Sequence, residues 1–189
     1  MALTAIDLCS RALVKIGARP ISSFSEGTVE AQVAASLYPV VRDALLSAHP
    51  WNFATRQRSL ARLATSPVAD YANAFALPAD CLRVISCGRP GRGRGLTYRI
   101  EGRTLCTNVD QVVLTYLADT DEAMFPPFFV AALIARLAAE FCIPLTDSTS
   151  RWIGLSRAAD DEVRRAKLAD AQEDTPSRIE NFVLIEARG

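Results

Sequence analysis

The stretch Tyr38-Pro39-Val40-Val41-Arg42-Asp43-Ala44-Leu45-Leu46-Ser47-Ala48-His49-Pro50-Trp51-Asn52-Phe53 decides how the rest of the chain is read. It runs as an amphipathic helix through Leu46. Pro50 lacks a backbone donor and biases His49 away from the α region, so the helix is expected to stop at or before it. Trp51 and Phe53 then stand two apart in an extended segment, which would bury them together and turn Asn52 the other way. The stretch reads as a hinge where a helical layer hands over to a smaller β-rich part.

Working outward, Thr4 with Asp7 three residues on is a helix start, Ile6, Cys9, Leu13 and Ile16 share a face, and Gly17 is the permissive residue expected just past a helix end. After the loop 19–27, Thr28 opens the next helix with Val29, Val33, Leu37, Val41 and Leu45 as its stripe. Pro39 within it predicts a kink or two shorter helices. Downstream, 54–65 is basic and ambiguous. Tyr71, Phe75 and Leu77 lead to Pro78, and short runs at 82–85, 97–100, 104–107 and 112–117 read as strands separated by glycine-containing turns, with Glu101-Gly102 as a hairpin turn. Pro126-Pro127 can begin a helix that is apolar on nearly every face and that Pro144 should stop. A last long helix over 149–171 would place Trp152, Leu155, Ala159, Val163 and Ala166 inward, with Asp160–Arg164 and Asp161–Arg165 pairs on its surface. The expected fold is therefore α+β and mainly α: a bundle of three to five helices with a small antiparallel β-sheet inserted between the second and third main helices. One domain is expected over 1–174, helical at 1–50 and 125–174 and β-rich over about 51–118, followed by a tail at 175–189.

The 189 residues are half apolar, which excludes global disorder. Acids and bases balance at 21 each but unevenly: nine bases face three acids over 49–106, whereas eight bases face fourteen acids from 107 onward. Such a split suits copies, or chain and partner, meeting opposite sign to opposite sign; chance unevenness on a solvated surface is the plain alternative. Five cysteines with no CxxC pair indicate neither a disulfide framework nor a zinc site and fit a reducing compartment. The N-terminus mixes acid and base within its periodicity and does not read as a signal peptide, and the apolar stretch 125–135 reads as too short to span a bilayer.

The candidate chemistry is sparse. Arg89, Arg92 and Arg94, set among Pro90, Gly91, Gly93 and Gly95, are either a solvated hairpin tip or a contact for DNA phosphates, without aromatics for base stacking; no lysine-serine follows, which excludes a phosphate-binding loop. His49, the single histidine, reads as a packing residue with no orienting carboxylate nearby in sequence. Asp119, Asp121 and Glu122 are crowded acids that could hold a cation or form a carboxylate pair, or simply face a helix start. Arg136 and Glu140, one turn apart in the apolar helix, are expected to satisfy each other inside a subunit contact. Ile179, Phe182, Val183, Leu184 and Ile185 follow a proline break and must be buried somewhere, on a partner or against their own chain.

Placed in this order, the pieces resemble the tail tubular protein A family of short-tailed bacteriophages, the head-to-tail adaptors. The matching residues are Gly17-Ala18-Arg19-Pro20-Ile21-Ser22-Ser23, Tyr38-Pro39 through Arg42-Asp43, His49-Pro50-Trp51-Asn52-Phe53-Ala54, Leu77-Pro78-Ala79-Asp80-Cys81-Leu82-Arg83-Val84, and Ala138-Ala139-Glu140 with Ile143-Pro144-Leu145. The resemblance implies a bacteriophage structural protein, a connector at the head–tail junction of the virion, present in the host cytoplasm during assembly. It implies a ring of sister subunits, commonly twelve, seated under the portal protein, receiving the tail nozzle protein below and passing viral DNA through its channel. No catalytic residue, cofactor, metal or membrane is required for that role. The tail residues Ile179, Phe182, Val183, Leu184 and Ile185 would then dock on the portal or a sister subunit, and Arg89, Arg92 and Arg94 would touch DNA in transit. A virion-associated peptidoglycan hydrolase working through Asp121 or Glu122, and a DNA-binding module built on the basic middle, are the alternative readings.

Overall fold

The computed structural model describes residues 3–174; the tail at 175–189, with its expected docking residues, lies outside them. Four helices, α1 (Ala5–Lys15), α2 (Val29–Ser47), α3 (Pro127–Thr146) and α4 (Thr149–Asp170), enclose a β-rich insertion of six strands between α2 and α3. The α+β architecture is as the sequence predicts, except that the strands form two antiparallel sheets rather than one. β1 (Thr55–Ser59), β6 (Val113–Ala118) and β3 (Cys81–Gly88) make the first, in that order; β2 (Asn73–Ala76), β5 (Thr104–Thr107) and β4 (Arg99–Glu101) make the second.

Local signals account for the boundaries. The Thr4 hydroxyl accepts from the Asp7 N–H at 3.2 Å while the Asp7 carboxylate accepts from the Thr4 N–H at 2.9 Å, a reciprocal cap. At the other end of α1, Gly17 takes φ +77, and the N–H groups of Gly17 and Ala18 donate to the carbonyls of Val14 and Leu13, closing the helix as only a residue tolerant of the left-handed region can. Glu101 pairs with Thr104 across a two-residue hairpin whose Gly102 has φ +57.

Pro39 does not divide α2 into two helices, and Pro144 does not stop α3. α2 is continuous through Pro39 and α3 through Pro144. Each ring sits on the solvent side, and the carbonyls it would orphan belong to Ala35 and Glu140, both exposed, so water can satisfy them. α3 stops instead at Asp147, whose φ of +50 ends the helix before Ser148 caps α4. At 20 residues, α3 is longer than the apolar stretch 125–135 suggested, and long and apolar enough to cross a membrane by length and composition. Here Phe129, Leu133, Leu137 and Phe141 are fully buried where it packs against α1, α2 and α4.

The buried face of α2 is also rotated from the expected stripe. Ala31, Ala34, Tyr38, Val41 and Leu45 are buried, while Val29 is 61% exposed. The small alanines let α2 approach its neighbours closely, a contact that a search for large aliphatics overlooks. α4 lies on α3 through Ala159 against Ala135 and Ala139, and Trp152, expected inward, is 36% exposed.

Strand β6 joins the two cores. Leu117 belongs to the helical core, with Leu82 and Ile85 packed against it, whereas Leu114, Tyr116 and Ala118 face Phe75 and Leu105 of the second sheet. This period-two alternation gives the first sheet an apolar cluster on each face. The segment after Pro50 forms a 3-10 turn over Asn52–Ala54 rather than an extended run. Trp51 and Phe53 nonetheless meet: their ring centroids are 6.1 Å apart, and both pack on Phe129, at 5.1 and 4.9 Å.

Candidate interaction surfaces

The acids singled out from the sequence sit at a joint. Tyr38 and Arg42 lie one turn apart on α2, facing the 119–122 loop. The Tyr38 hydroxyl donates to Glu122 Oε1 at 2.7 Å, and Arg42 donates to Asp119 Oδ1 and to the Thr120 carbonyl at 2.8 Å, with its Nε 3.3 Å from Glu122. Burial works against the Arg42 charge, yet the hydrogen bond and charge of Asp119, with Glu122 and Asp43, outweigh it and hold its pKa above the usual value. Burial and the Glu122 carboxylate together push the Tyr38 hydroxyl pKa up. Asp119 and Glu122 therefore latch α2 to the β6–α3 junction rather than complementing a helix start. Among the described residues no group of His, Cys, Asp or Glu is arranged to hold a metal ion.

His49 has the carboxylate that the sequence does not place beside it. Asp170, at the end of α4 and 2% exposed, accepts from the Asn52 N–H at 2.9 Å and lies 3.4 Å from His49 Nε2. The Asn52 amide donates in turn to the Asp170 carbonyl at 2.7 Å. His49 also stands edge-on to Trp51, with centroids 4.8 Å apart. Burial lowers the His49 pKa, Lys167 and Arg83 add to that, and together they outweigh the upward pull of Asp170. The cluster staples the end of α4 to the turn after Pro50.

Arg103 is a second joint the sequence did not announce. Its guanidinium donates to the carbonyls of Pro78, Ala79 and Cys81, gathering the turn that leads into β3. Asp80 in that turn pairs with Arg56 at 3.1 Å and accepts from the Tyr116 hydroxyl. Three expected ion pairs are exchanged for others. Arg136 reaches Asp160 on α4 at 2.5 Å instead of Glu140, while Arg164 pairs with Asp161 and Arg165 with Glu162 at 3.2 Å, one residue closer in sequence than expected. All five thiols are buried and unpaired; burial pushes Cys9 up to about 12 and Cys87 up to about 11.

The Arg/Gly loop at 89–95 is folded onto its own sheet. The Gly93 carbonyl accepts from the Ser86 hydroxyl at 2.9 Å and from the Thr115 hydroxyl at 3.2 Å, and the Leu96 N–H returns to the Cys87 carbonyl at 3.0 Å. The fold-back needs glycine at its base, since a Cβ on Gly88 would lie 1.8 Å from the Arg92 carbonyl oxygen and 2.2 Å from the Arg94 nitrogen. Arg89, Arg92 and Arg94 are all exposed, and among the described residues none pairs with an acid. The backbone is thus pinned while the three guanidinium groups project. Gly88→Ala is expected to lift the loop and speed tryptic cleavage after Arg92 or Arg94 about tenfold, with little change in global stability. An unchanged cleavage rate would show that the loop is not held there.

An open groove of about 660 Å³ lies between α2 and α4, with Leu37, Val40, Val41 and Ala44 on the α2 side and Val163 opposite. Arg136, Glu140, Arg164 and Lys167 stand on its rim. In comparisons with known proteins, no family model and no curated protein matches this chain.

Proposed function

We propose that the chain is a structural virion protein, a head-to-tail adaptor of a short-tailed bacteriophage that forms a ring under the portal protein, of twelve copies as is common in the family it resembles, and hands over to the tail nozzle. The observation that carries this reading is how the ionisable residues are used. Asp119, Glu122, Arg42, Asp170 and His49 all join one element to another, whereas Arg89, Arg92 and Arg94, none of them in an ion pair among the described residues, are displayed together on a pinned loop. A rigid mount for three guanidinium groups suits repeated, sequence-independent contact with phosphates moving past it. Around a ring, copies of Arg89, Arg92 and Arg94 would line the DNA passage. The apolar tail residues Ile179, Phe182, Val183, Leu184 and Ile185 are assigned to the portal or a sister subunit once the ring is built.

The peptidoglycan hydrolase alternative requires Glu122 or Asp121 to serve as acid or nucleophile, and Glu122 is engaged by Tyr38 and Arg42. The two readings separate in one experiment. The purified chain and its Asp121→Asn/Glu122→Gln variant are assayed for cell-wall lysis and for co-sedimentation with the portal of the same phage. The adaptor reading expects no lysis from either protein and portal co-sedimentation by the native chain; lysis by the native chain that disappears in the variant overturns it.

A further inference from the structure

The groove between α2 and α4 has an apolar floor that nothing covers among the described residues. Val40 is 65% exposed on its wall, and Ala44 and Ala48 are exposed beside it. Such a strip on an otherwise charged helix pair marks a contact site. We propose that its occupant is the chain's own C-terminal segment, with Phe182, Val183, Leu184 and Ile185 laid along the α2 wall and Glu180 beside Lys167. This inference does not depend on the adaptor reading, because it concerns the free subunit.

Three observations identify that occupant. The first is proximity. α4 ends at Asp170, which is fixed by Asn52, and Lys167 on the groove rim is one turn earlier. The apolar run therefore starts only a short tether away from the groove mouth.

The second is reach. Running back along α4 from Asp170 to Asp160, the length of the groove, covers about 15 Å at the helical rise. Residues 171–173 close α4 in a hydrogen-bonded turn, and the four residues 175–178 beyond it can span about 13–14 Å when extended, enough to bring residue 179 back to the groove mouth. A tether that short sets an effective concentration in the millimolar range, which favours the chain's own segment over one arriving from solution.

The third is charge. Among the described residues, Arg136 is matched by Asp160 and Arg164 by Asp161, which leaves Lys167 near the mouth and Glu140 at the far end of the rim without an ion-pair partner. α3 and α4 are joined by the two residues Asp147 and Ser148, so they run antiparallel and place Glu140 away from Lys167. The segment offers Glu180 before the apolar residues and Arg188 after them, within a run that also holds Arg178 and Glu186.

A docked segment in the free subunit would keep its apolar side chains out of water until a portal or sister surface competes for them. The test is hydrogen exchange of the full-length protein, read on the amides of 179–185. It compares the native chain with Val40→Glu/Ala44→Glu, which charges two exposed groove positions, and with Phe182→Asp/Leu184→Asp. The native segment is expected to exchange about tenfold more slowly than in either variant. That protection should be the same at two protein concentrations at which light scattering gives the 20.5 kDa monomer. Exchange of the native segment at the free-peptide rate, or protection unaltered by Val40→Glu/Ala44→Glu, overturns the proposal. Protection that grows with concentration alongside a dimer mass also overturns it, by assigning the groove to a second copy. None of these outcomes bears on portal binding, so failure here is distinguishable from failure of the adaptor reading.

Discussion

Trp51→Ala is expected to destabilise the fold by about 3–5 kcal/mol, the range for a large aromatic removed from a core that cannot close around the gap. Trp51 is fully buried, packs edge-on against Phe129, and donates its indole N–H to the Leu45 carbonyl at 3.0 Å near the end of α2. Truncation removes the aromatic packing shared with Phe53 and Phe129 and leaves that carbonyl without the indole donor. Urea unfolding followed by circular dichroism measures the effect. A loss under about 1 kcal/mol would mean that the junction after Pro50 is not the keystone of the helical core.

The second large effect is expected at Asp170. Replacing it with alanine removes a charged acceptor from the Asn52 N–H, strands that donor in a part-buried site and loosens the end of α4, for a loss of about 2–3 kcal/mol. The same cluster sets a pH dependence. Because the folded pKa of His49 lies below its ordinary 6.5, the unfolded chain takes up the proton first. The stability tied to neutral His49 is therefore fully present above about pH 6.5 and declines as pH falls below it. His49→Gln should flatten that part of the stability profile in denaturant titrations at stepped pH, whereas a native profile that rises on acidification through this range would contradict the assignment.

Local chemistry was legible in the sequence wherever one residue decides a boundary. Thr4 with Asp7, Gly17, Pro50 and the Glu101-Gly102 turn each act through their own backbone neighbours, and each behaves in the structure as its residue type requires. What the sequence hid depends on which side of an element meets solvent. Pro39 and Pro144 are tolerated inside helices because the carbonyls they would orphan face water. Trp152 stays 36% exposed although it stands seven residues before the buried Ala159, on the same face of α4.

The long-range joints were hidden for a different reason. The Asp170 carboxylate and the Asn52 amide are 118 positions apart, and Tyr38 and Glu122 are 84 apart, so no spacing rule links them. Arg103 likewise reads as one more basic residue until its fork is seen gathering three carbonyls of the 78–81 turn. The Arg/Gly loop is the instructive case. Its glycines suggest freedom, but Gly88 is required for close backbone approach, and the structure uses the missing Cβ to fix the loop in place.

The adaptor account rests on assembly, and assembly can be imaged. Electron microscopy of the purified chain mixed with the portal of the same phage should show a closed ring of adaptor subunits beneath the portal, with the 89–95 loops turned toward the channel. A portal left bare, or decorated by single copies that never close into a ring, would contradict the account.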